Sequence, residues 1–373
     1  MIQPFKLERY FAQYEFCTHY LLSASDCESL SMDELLSMAD KDSLARWQSL
    51  SLGYTESLGL PVLREEIAGL YEKITADTIL TLTPEEGIFI AMQNLLKAGD
   101  HVISLFPIYQ SLYQIAHSMG VDVTPWNLEL KGSHWTLNFE ALEKSLKPQT
   151  RLLIVNFPHN PTGFLPTRTD LEQIIDFAQR HHLYLFSDEM YRLLEYNPAD
   201  RLPSVCDLYE DGVSLSGLSK SFAMPGLRTG WLATQNQTLF KQFASYKDYT
   251  TICSSAPSEI LALAGLRAKD KIIRRNLDII QANLSLADRF FNRFASSFTW
   301  IKPLAGSIAF PRLDLKLGVE SFCQNVVDQK SVLLVPGTIF DFPGNHFRIG
   351  LGRKNFGQGI QELSDYLQTL SVH

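Results

Sequence analysis

Ser216-Gly-Leu-Ser-Lys-Ser-Phe-Ala-Met-Pro-Gly-Leu-Arg-Thr-Gly230 follows a short apolar run, Val213 to Leu215, that reads as the end of a strand. The stretch holds one lysine, Lys220, one arginine eight residues on, Arg228, and small residues between them. A lysine amine forms a Schiff base with a carbonyl once its pKa is tuned. A guanidinium forks two hydrogen bonds onto a phosphate. The pair suits a small molecule bearing both an aldehyde and a phosphate. Taken alone, the same stretch reads as a turn with two solvated basic residues, so its meaning rests on what surrounds it.

Upstream, strands and helices alternate. Val102 to Leu105 reads as a strand, Ile108 to Met119 as a helix and Val121 to Pro125 as a strand. The apolar run Arg151 to Phe157 is followed by a helix over Arg168 to His181 and a strand over Tyr184 to Ser187. This order predicts a mainly parallel sheet covered by helices on both faces. In such sheets ligands sit beyond the carboxyl ends of the strands. Asn156, Asp188 and Ser216 all fall at or just past strand ends, so their loops can meet at one crevice. Nearer the N-terminus, Ser31 and Glu34 have capping-box spacing, and Pro61 opens a helix through Tyr71. Thr78 to Leu82 is β-rich and runs into Thr83-Pro-Glu-Glu-Gly87, after which Ile88, Ala91 and Leu95 have helical spacing.

Downstream, Trp231 to Thr234 reads as a strand and Asp270 to Phe298 as one long helix. Strand-like runs at Ser307 to Phe310, Val332 to Val335 and Phe347 to Leu351 precede a last helix over Gly359 to Leu370. This α+β part predicts a second, smaller domain. A length of 373 residues fits one large and one smaller domain.

Composition narrows the class. Apolar residues make up 45% and charged residues 20%, as in an ordinary soluble globular protein. A net charge of −8 argues against nucleic acid or an anionic membrane as the main partner. The five cysteines are far apart and form no CxxC pair, which points to idle thiols in a reducing cytoplasm and to no zinc site. Met1 to Tyr10 does not have the pattern of a signal peptide, and no apolar window is long enough to span a membrane.

Further motifs bear on chemistry. Asn156-Phe-Pro-His-Asn-Pro-Thr-Gly163 runs from a strand end into a proline-stiffened loop that holds the Asn160 amide in place. On its own it is also an ordinary turn. Asp188-Glu-Met-Tyr191 puts a carboxylate at a strand end in apolar surroundings, where it needs a cationic partner to stay ionised. A pyridinium nitrogen would serve, and an N-cap aspartate is the plainer alternative. Phe347-Arg-Ile-Gly-Leu-Gly352 places Arg348 inside an apolar run, where burial calls for an anion. That anion is either a substrate carboxylate or an internal acid.

In joint order and spacing these segments resemble the fold-type I pyridoxal 5'-phosphate (PLP) enzymes, in particular the class I/II aminotransferases, from about Gly53 to Arg353. The resemblance implies an α/β PLP-transferase fold with a mainly parallel seven-stranded sheet in a large domain over 41–280. The smaller domain would be formed by 1–40 and 281–373. It implies that Lys220 forms the Schiff base with PLP, that Asp188 sits on the pyridine nitrogen, and that Asn160 and Tyr191 bind the ring hydroxyl. Ser219 and Arg228 would hold the phosphate, Tyr109 would stack on the ring, and Arg348 would take the substrate α-carboxylate. Tyr54 would be donated to the phosphate of a partner subunit, so a homodimer with shared active sites is implied.

This sequence departs from the family pattern at the phosphate loop. Thr83 and Pro84 stand where Gly followed by Ala or Ser is common, and Pro84 has no N–H. The amides of Glu85 and Glu86 remain as donors. Gly217 stands where some relatives carry a hydroxyl. The implied activity is amino-group transfer between an α-amino acid and a 2-oxo acid. The alternative on this scaffold is β-elimination, replacement or cyclisation, as in capreomycidine synthase. A non-enzymatic regulator is the third reading, but no basic helix-turn-helix pattern precedes Tyr54. Asp26 and Glu28, in a segment that covers the active site in the family, predict a preference for polar or basic amino acids over aspartate or glutamate. A solvated, capping-rich surface turn is the plainer reading of the same residues.

Overall fold

The computed structural model describes residues 2–370. Its main sheet forms where apolar runs are uninterrupted. Leu152, Leu153, Ile154 and Val155 are all fully buried, as expected of a strand covered on both faces. Their side chains alternate between two cores. Ile154 packs with Phe186, Leu215 and the helix Pro84–Leu95 on one side. Leu153 and Val155 pack with Leu185 and the helix Arg168–Arg180 on the other. Each such fully buried aliphatic or aromatic side chain contributes about 1.5–3 kcal/mol.

The chain lays down β1 (Ile79–Leu82), β2 (His101–Phe106) and β3 (Asp122–Asn127), then a separate hairpin of β4 (Glu129–Lys131) and β5 (His134–Thr136). β6 (Thr150–Asn156), β7 (Tyr184–Asp188), β8 (Gly212–Gly217) and β9 (Gly230–Thr234) complete the sheet in the order β1-β9-β8-β7-β6-β2-β3. β9 runs antiparallel to both β1 and β8, and the other neighbours are parallel. The reason lies in the connection from β8 to β9. Leu218 to Thr229 folds as a loop with one short 3₁₀ turn, Pro225–Leu227, not as the crossover helix a parallel partner needs. The chain therefore turns back at the carboxyl end of β8, and this turn carries Lys220 and Arg228.

The C-terminal part builds two small antiparallel sheets. β10 (Phe298–Thr299) pairs with β12 (Arg312–Leu313), while β11 (Ile308–Ala309) and β13 (Val335–Pro336) flank β14 (Phe347–Gly350). Phe291, Phe298, Phe322, Phe347 and Tyr366 gather in one apolar cluster behind them. The long helix spans Lys269–Arg293, shorter than its apolar spacing predicts. Phe298 lies beyond the helix in β10, opposite Leu313, where the Asp314 N–H donates to Ser297 O at 2.8 Å and draws the chain into the strand pair. Similarly, the helix expected from Ile108 begins at Ser111, which leaves Tyr109 on a loop. No helix among the described residues is long and apolar enough to cross a membrane.

The N-terminal segment is stitched onto this C-terminal sheet. After the helix Lys6–Tyr14, the Tyr20 N–H donates to Ser331 O at 2.9 Å, and Leu22 O accepts from the Gly350 N–H at 2.6 Å. Glu28 N–H reaches Gly352 O at 2.8 Å. The helix Met32–Met38 follows with the expected capping box. Ser31 N–H donates to Glu34 Oε2 at 2.8 Å, and Glu34 N–H donates back to Ser31 Oγ at 3.1 Å. Ser23 to Asp26 thereby lie against β14, beside Arg348.

That close approach depends on Gly350. A Cβ added there would stand 1.9 Å from Ala24 O, so Gly350→Ala must displace the N-terminal segment. The expected cost is about 1–3 kcal/mol, the range for overpacking. Urea denaturation and limited proteolysis should show lower stability and faster cleavage within residues 15–30. Gly226→Ala, where a Cβ meets no atom within 4 Å, is the control. Equal behaviour of the two variants would contradict the packing described.

Candidate active site

Asn156, the last residue of β6, ties two strand-end loops together. Its Nδ2 donates to Asp188 O at 2.8 Å, and its Oδ1 accepts from the Asn160 N–H at 2.8 Å. Asp188 ends β7 next to it. The Asp188 carboxyl is 7% exposed and its Oδ1 accepts from the Met190 N–H at 3.1 Å. The bond is of the kind an N-cap aspartate makes, but residues 190–193 form a turn with no helix for Asp188 to cap. Burial pushes the carboxyl up to about 7, against the Met190 N–H and the nearby Lys220. Glu189, its neighbour, faces away into a polar knot of Ser204, Ser214 and the Val205 N–H. Ser221 Oγ bonds Met190 O at 3.1 Å and Arg192 O at 2.6 Å, so the turn after Asp188 is clipped to the Lys220 loop.

The Lys220 loop holds two non-glycine residues in the left-handed region, Ala223 at φ 55° and Arg228 at φ 54°. Each costs on the order of 1 kcal/mol. Lys220 Nζ donates to Ser25 Oγ at 2.9 Å. Burial lowers the pKa of the amine, Asp26 opposes that shift, and Arg348 and Arg228 add to it. Arg348 is fully buried. Its Nη1 donates to Asn160 Oδ1 at 3.2 Å and its Nη2 to Ser23 O at 2.9 Å, and Nε has no partner. Its guanidinium stands 5.2 Å from the Phe340 ring centre and 5.9 Å from that of Phe11. Among the described residues no carboxylate pairs with it. A buried cation without a counter-anion is costly.

One cavity of about 530 Å³ is lined by Glu85, Tyr109, Asn160, Asp188, Tyr191, Ser219, Lys220, Arg228 and Arg348. These are the residues named from sequence, with two exceptions. Tyr54 is 93% exposed and does not reach this cavity within its own chain. Glu86 turns away, and its Oε1 accepts from Thr251 Oγ1 at 2.8 Å and from the Thr250 hydroxyl. Tyr191 is buried with an unpaired hydroxyl. Tyr109 lays its ring against Phe5, centres 4.9 Å apart, and its hydroxyl donates to Glu8 at 3.4 Å.

Several lining groups were not picked out from sequence. Phe5, Glu8, Phe11 and Glu15 come from the Lys6–Tyr14 helix and its end. The apolar residues Leu7, Phe11 and Tyr14 do have helical spacing, which is the signal that could have found this helix. The Glu15 carboxylate has no hydrogen-bond or ion-pair partner among the described residues, and burial, then Asp26 and Glu8, raise its pKa. The acids that sequence did favour are engaged. Asp26 accepts from Arg353 Nη2 at 3.0 and 3.1 Å, and Glu28 accepts from the Lys354 N–H at 3.1 Å. Asp26 lines the cavity, but Glu28 does not.

Residues 21–355 match the family described as aminotransferase class I and II. The chain is 27% identical to aromatic-amino-acid aminotransferase 2 of Thermococcus litoralis, over 85% of this chain and 82% of that protein. It is also 27% identical to capreomycidine synthase of Streptomyces vinaceus, over 84% of this chain and 80% of that one. A PLP-dependent aminotransferase from Streptococcus suis 89-1591 superimposes with a TM-score of 0.92 at 29% identity, covering 99% of this chain and 98% of that chain. With its strand-end cavity, seven-stranded sheet and a match over most of its length, the chain belongs to the class I and II aminotransferase family of PLP-dependent, fold-type I proteins.

Proposed function

We propose that the protein is an aminotransferase that moves an amino group between an α-amino acid and a 2-oxo acid. The convergence of Lys220, Asp188 and Arg348 on one cavity carries this reading. The residues present fit PLP. Asp188 is a buried carboxyl with one hydrogen bond, Tyr191 an unpaired buried hydroxyl, and Lys220 an amine held by a single serine. When bound, PLP supplies an aldehyde for the amino group and an electron-withdrawing ring.

The chain's own groups divide the remaining work. Asp188 would face the ring nitrogen and keep a proton there. Asn160 and Tyr191 would hydrogen-bond the ring hydroxyl, and Tyr109 would cover the ring face. Ser219, Arg228 and the backbone amide of Glu85 would hold the phosphate, the Glu86 amide being engaged by the Thr83 capping box. Arg348 would fork onto the substrate α-carboxylate, an interaction that suits a planar guanidinium. Lys220 Nζ would take the proton from the substrate α-carbon and return it, as base and then acid. Its lowered pKa favours the neutral amine that this needs.

A second reading keeps the cofactor and changes the outcome to β-elimination, replacement or cyclisation. Equal identity to an aminotransferase and to capreomycidine synthase favours keeping it in view. In either case Glu8 and Glu15, carboxylates at the cavity without a cationic partner among the described residues, would, rather than Glu28, favour a cationic or hydrogen-bonding side chain, since Coulomb attraction grows as water leaves. The large unit over 41–280 and the smaller one from 1–40 and 281–373 remain the proposed division. The proposed assembly is a two-fold homodimer in which exposed Tyr54 enters the partner's site.

Assay of donors and acceptors separates the reactions. Amino-group exchange that is lost in Lys220→Ala supports transfer, whereas pyruvate and ammonia released from a β-substituted amino acid support a lyase. Across a donor panel, basic and polar amino acids should exceed aspartate and glutamate in kcat/KM, and Glu8→Gln with Glu15→Gln should erase that margin. Aspartate leading the panel tenfold would remove the side-chain proposal. Sedimentation should show a dimer, and a fully active monomer would refute shared sites.

Asp188→Asn should lower turnover by about two to four decades at saturating PLP, comparable to the loss of other directly acting polar groups. A drop below threefold would reduce Asp188 to a structural turn. The same variant has a signature in the cofactor-free protein. With a folded pKa of about 7 against an unfolded value of about 3.9, native Asp188 keeps a proton that the unfolded chain has released. Its contribution to stability is therefore lost as pH rises from about 4 to about 7. Asp188→Asn should flatten that decline in denaturation profiles, and an unchanged profile would contradict the buried carboxyl.

A further inference from the structure

The phosphate end of the cavity is poor in donors. Pro84, the first residue of its helix, has no N–H. Thr83 and Glu86 form a capping box that engages the Glu86 amide, so Glu85 supplies the free N–H of this first turn. Gly217 offers no hydroxyl, and the packing explains why. A Cβ on Gly217 would stand 3.1 Å from Pro84 Cγ and 3.0 Å from Gly230 Cα, and one on Gly230 would stand 2.7 Å from Pro84 Cγ. The proline ring fills the notch that these two glycines leave. Proline and glycines are a matched set, and both donors are missing together.

The residue after Pro84 brings a carboxyl group to the same cavity, near Arg228. Glu85 lines this cavity and also the adjoining apolar cavity of about 450 Å³. Among the described residues it has no ion-pair partner. The charged and titratable groups around it are Glu8 from the N-terminal helix, Tyr109, Asp188 at the end of β7, and Lys220 and Arg228 from the loop after β8. Glu86, next in sequence, is directed to Thr250 and Thr251. Burial raises the Glu85 carboxyl and Glu8 pushes the same way, while the Ser111 hydroxyl, then Arg228 and the Tyr109 hydroxyl, oppose. An ionised carboxylate beside a phosphate dianion would repel it, and two anions that share a site hold a proton between them.

We propose that Glu85 acts as a carboxylic acid toward the cofactor phosphate, its O–H donating to a phosphate oxygen in place of the donors missing at Pro84 and Gly217. The proton comes from solvent as the cofactor loads, and no bond to phosphorus forms or breaks. Glu85 is then a cofactor-binding residue specific to this chain's proline-bearing loop, and loading is coupled to proton uptake.

Calorimetric titration of the cofactor-free protein with PLP, in two buffers of different ionisation enthalpy, counts the protons taken up. At pH 8 wild type should take up about one proton more with PLP than with pyridoxal, which lacks the phosphate, because one carboxyl changes state. Glu85→Gln should lose that difference. From pH 7 to 9 the PLP affinity of wild type should fall relative to the glutamine variant by up to about tenfold per pH unit, the limit for a single linked proton. Equal proton counts for PLP and pyridoxal in wild type would overturn the proposal without recourse to any variant. Parallel affinity profiles for wild type and Glu85→Gln would overturn it as well.

Discussion

The side-chain amide of Asn156 is the joint on which the candidate site depends. It bonds the carbonyl of Asp188 on one side and the amide of Asn160 on the other. Both partners are buried, so neither bond exchanges freely with water, and leaving either group unpaired would cost about 1–3 kcal/mol. Through Asn160 the joint extends to Arg348 in β14, 188 residues further along the chain. One amide thus sets the spacing between the carboxyl that would face a ring nitrogen and the guanidinium that would face a substrate carboxylate. A parallel sheet makes this possible because β6 and β7 end side by side, with Asn156 opposite Asp188.

The electrostatics of the cavity follow from what is left unpaired. Arg348 is a buried cation satisfied by an amide oxygen and a backbone carbonyl, not by an acid. Asp188 is a buried acid satisfied by one backbone N–H. Lys220 leans on a serine hydroxyl. In a fold stabilised mainly by burial, such groups are stored costs. A ligand with a pyridine nitrogen, an aldehyde and a carboxylate-bearing partner would relieve all of them. The acids of the N-terminal helix add a further asymmetry, because Glu8 and Glu15 contribute negative charge without a fixed cation. Asp26 illustrates the contrast. It also lines the cavity, yet the Arg353 guanidinium already holds it.

Much of the site was legible in sequence because its parts are local. A strand end followed by proline and glycine places Asn160. An acid at the end of an apolar run places Asp188, and Lys220 and Arg228 share one turn. Arg348 was visible as a charge inside an apolar strand. Period and turn chemistry act over a few residues, so they report such features directly. The same locality explains the boundary errors. Phe298 continues the helical spacing of the long helix, but pairing with Leu313 takes it into a strand.

Residue type and spacing alone therefore determined the alternating α/β order, the strand-end motifs and the placing of Lys220 and Arg228 on one loop after a strand, since these depend on neighbours in the chain. Only the tertiary structure decided that β9 turns back antiparallel, that the N-terminal helix brings Glu8 and Glu15 to the cavity, and that Ser25 meets Lys220 across 195 residues. It likewise decided that Pro84 packs against Gly217 and Gly230, where a side chain on either glycine would crowd the proline ring. The physical reason is common to all of these: they are contacts between distant segments, set by how whole elements pack, and no local period in the sequence records them.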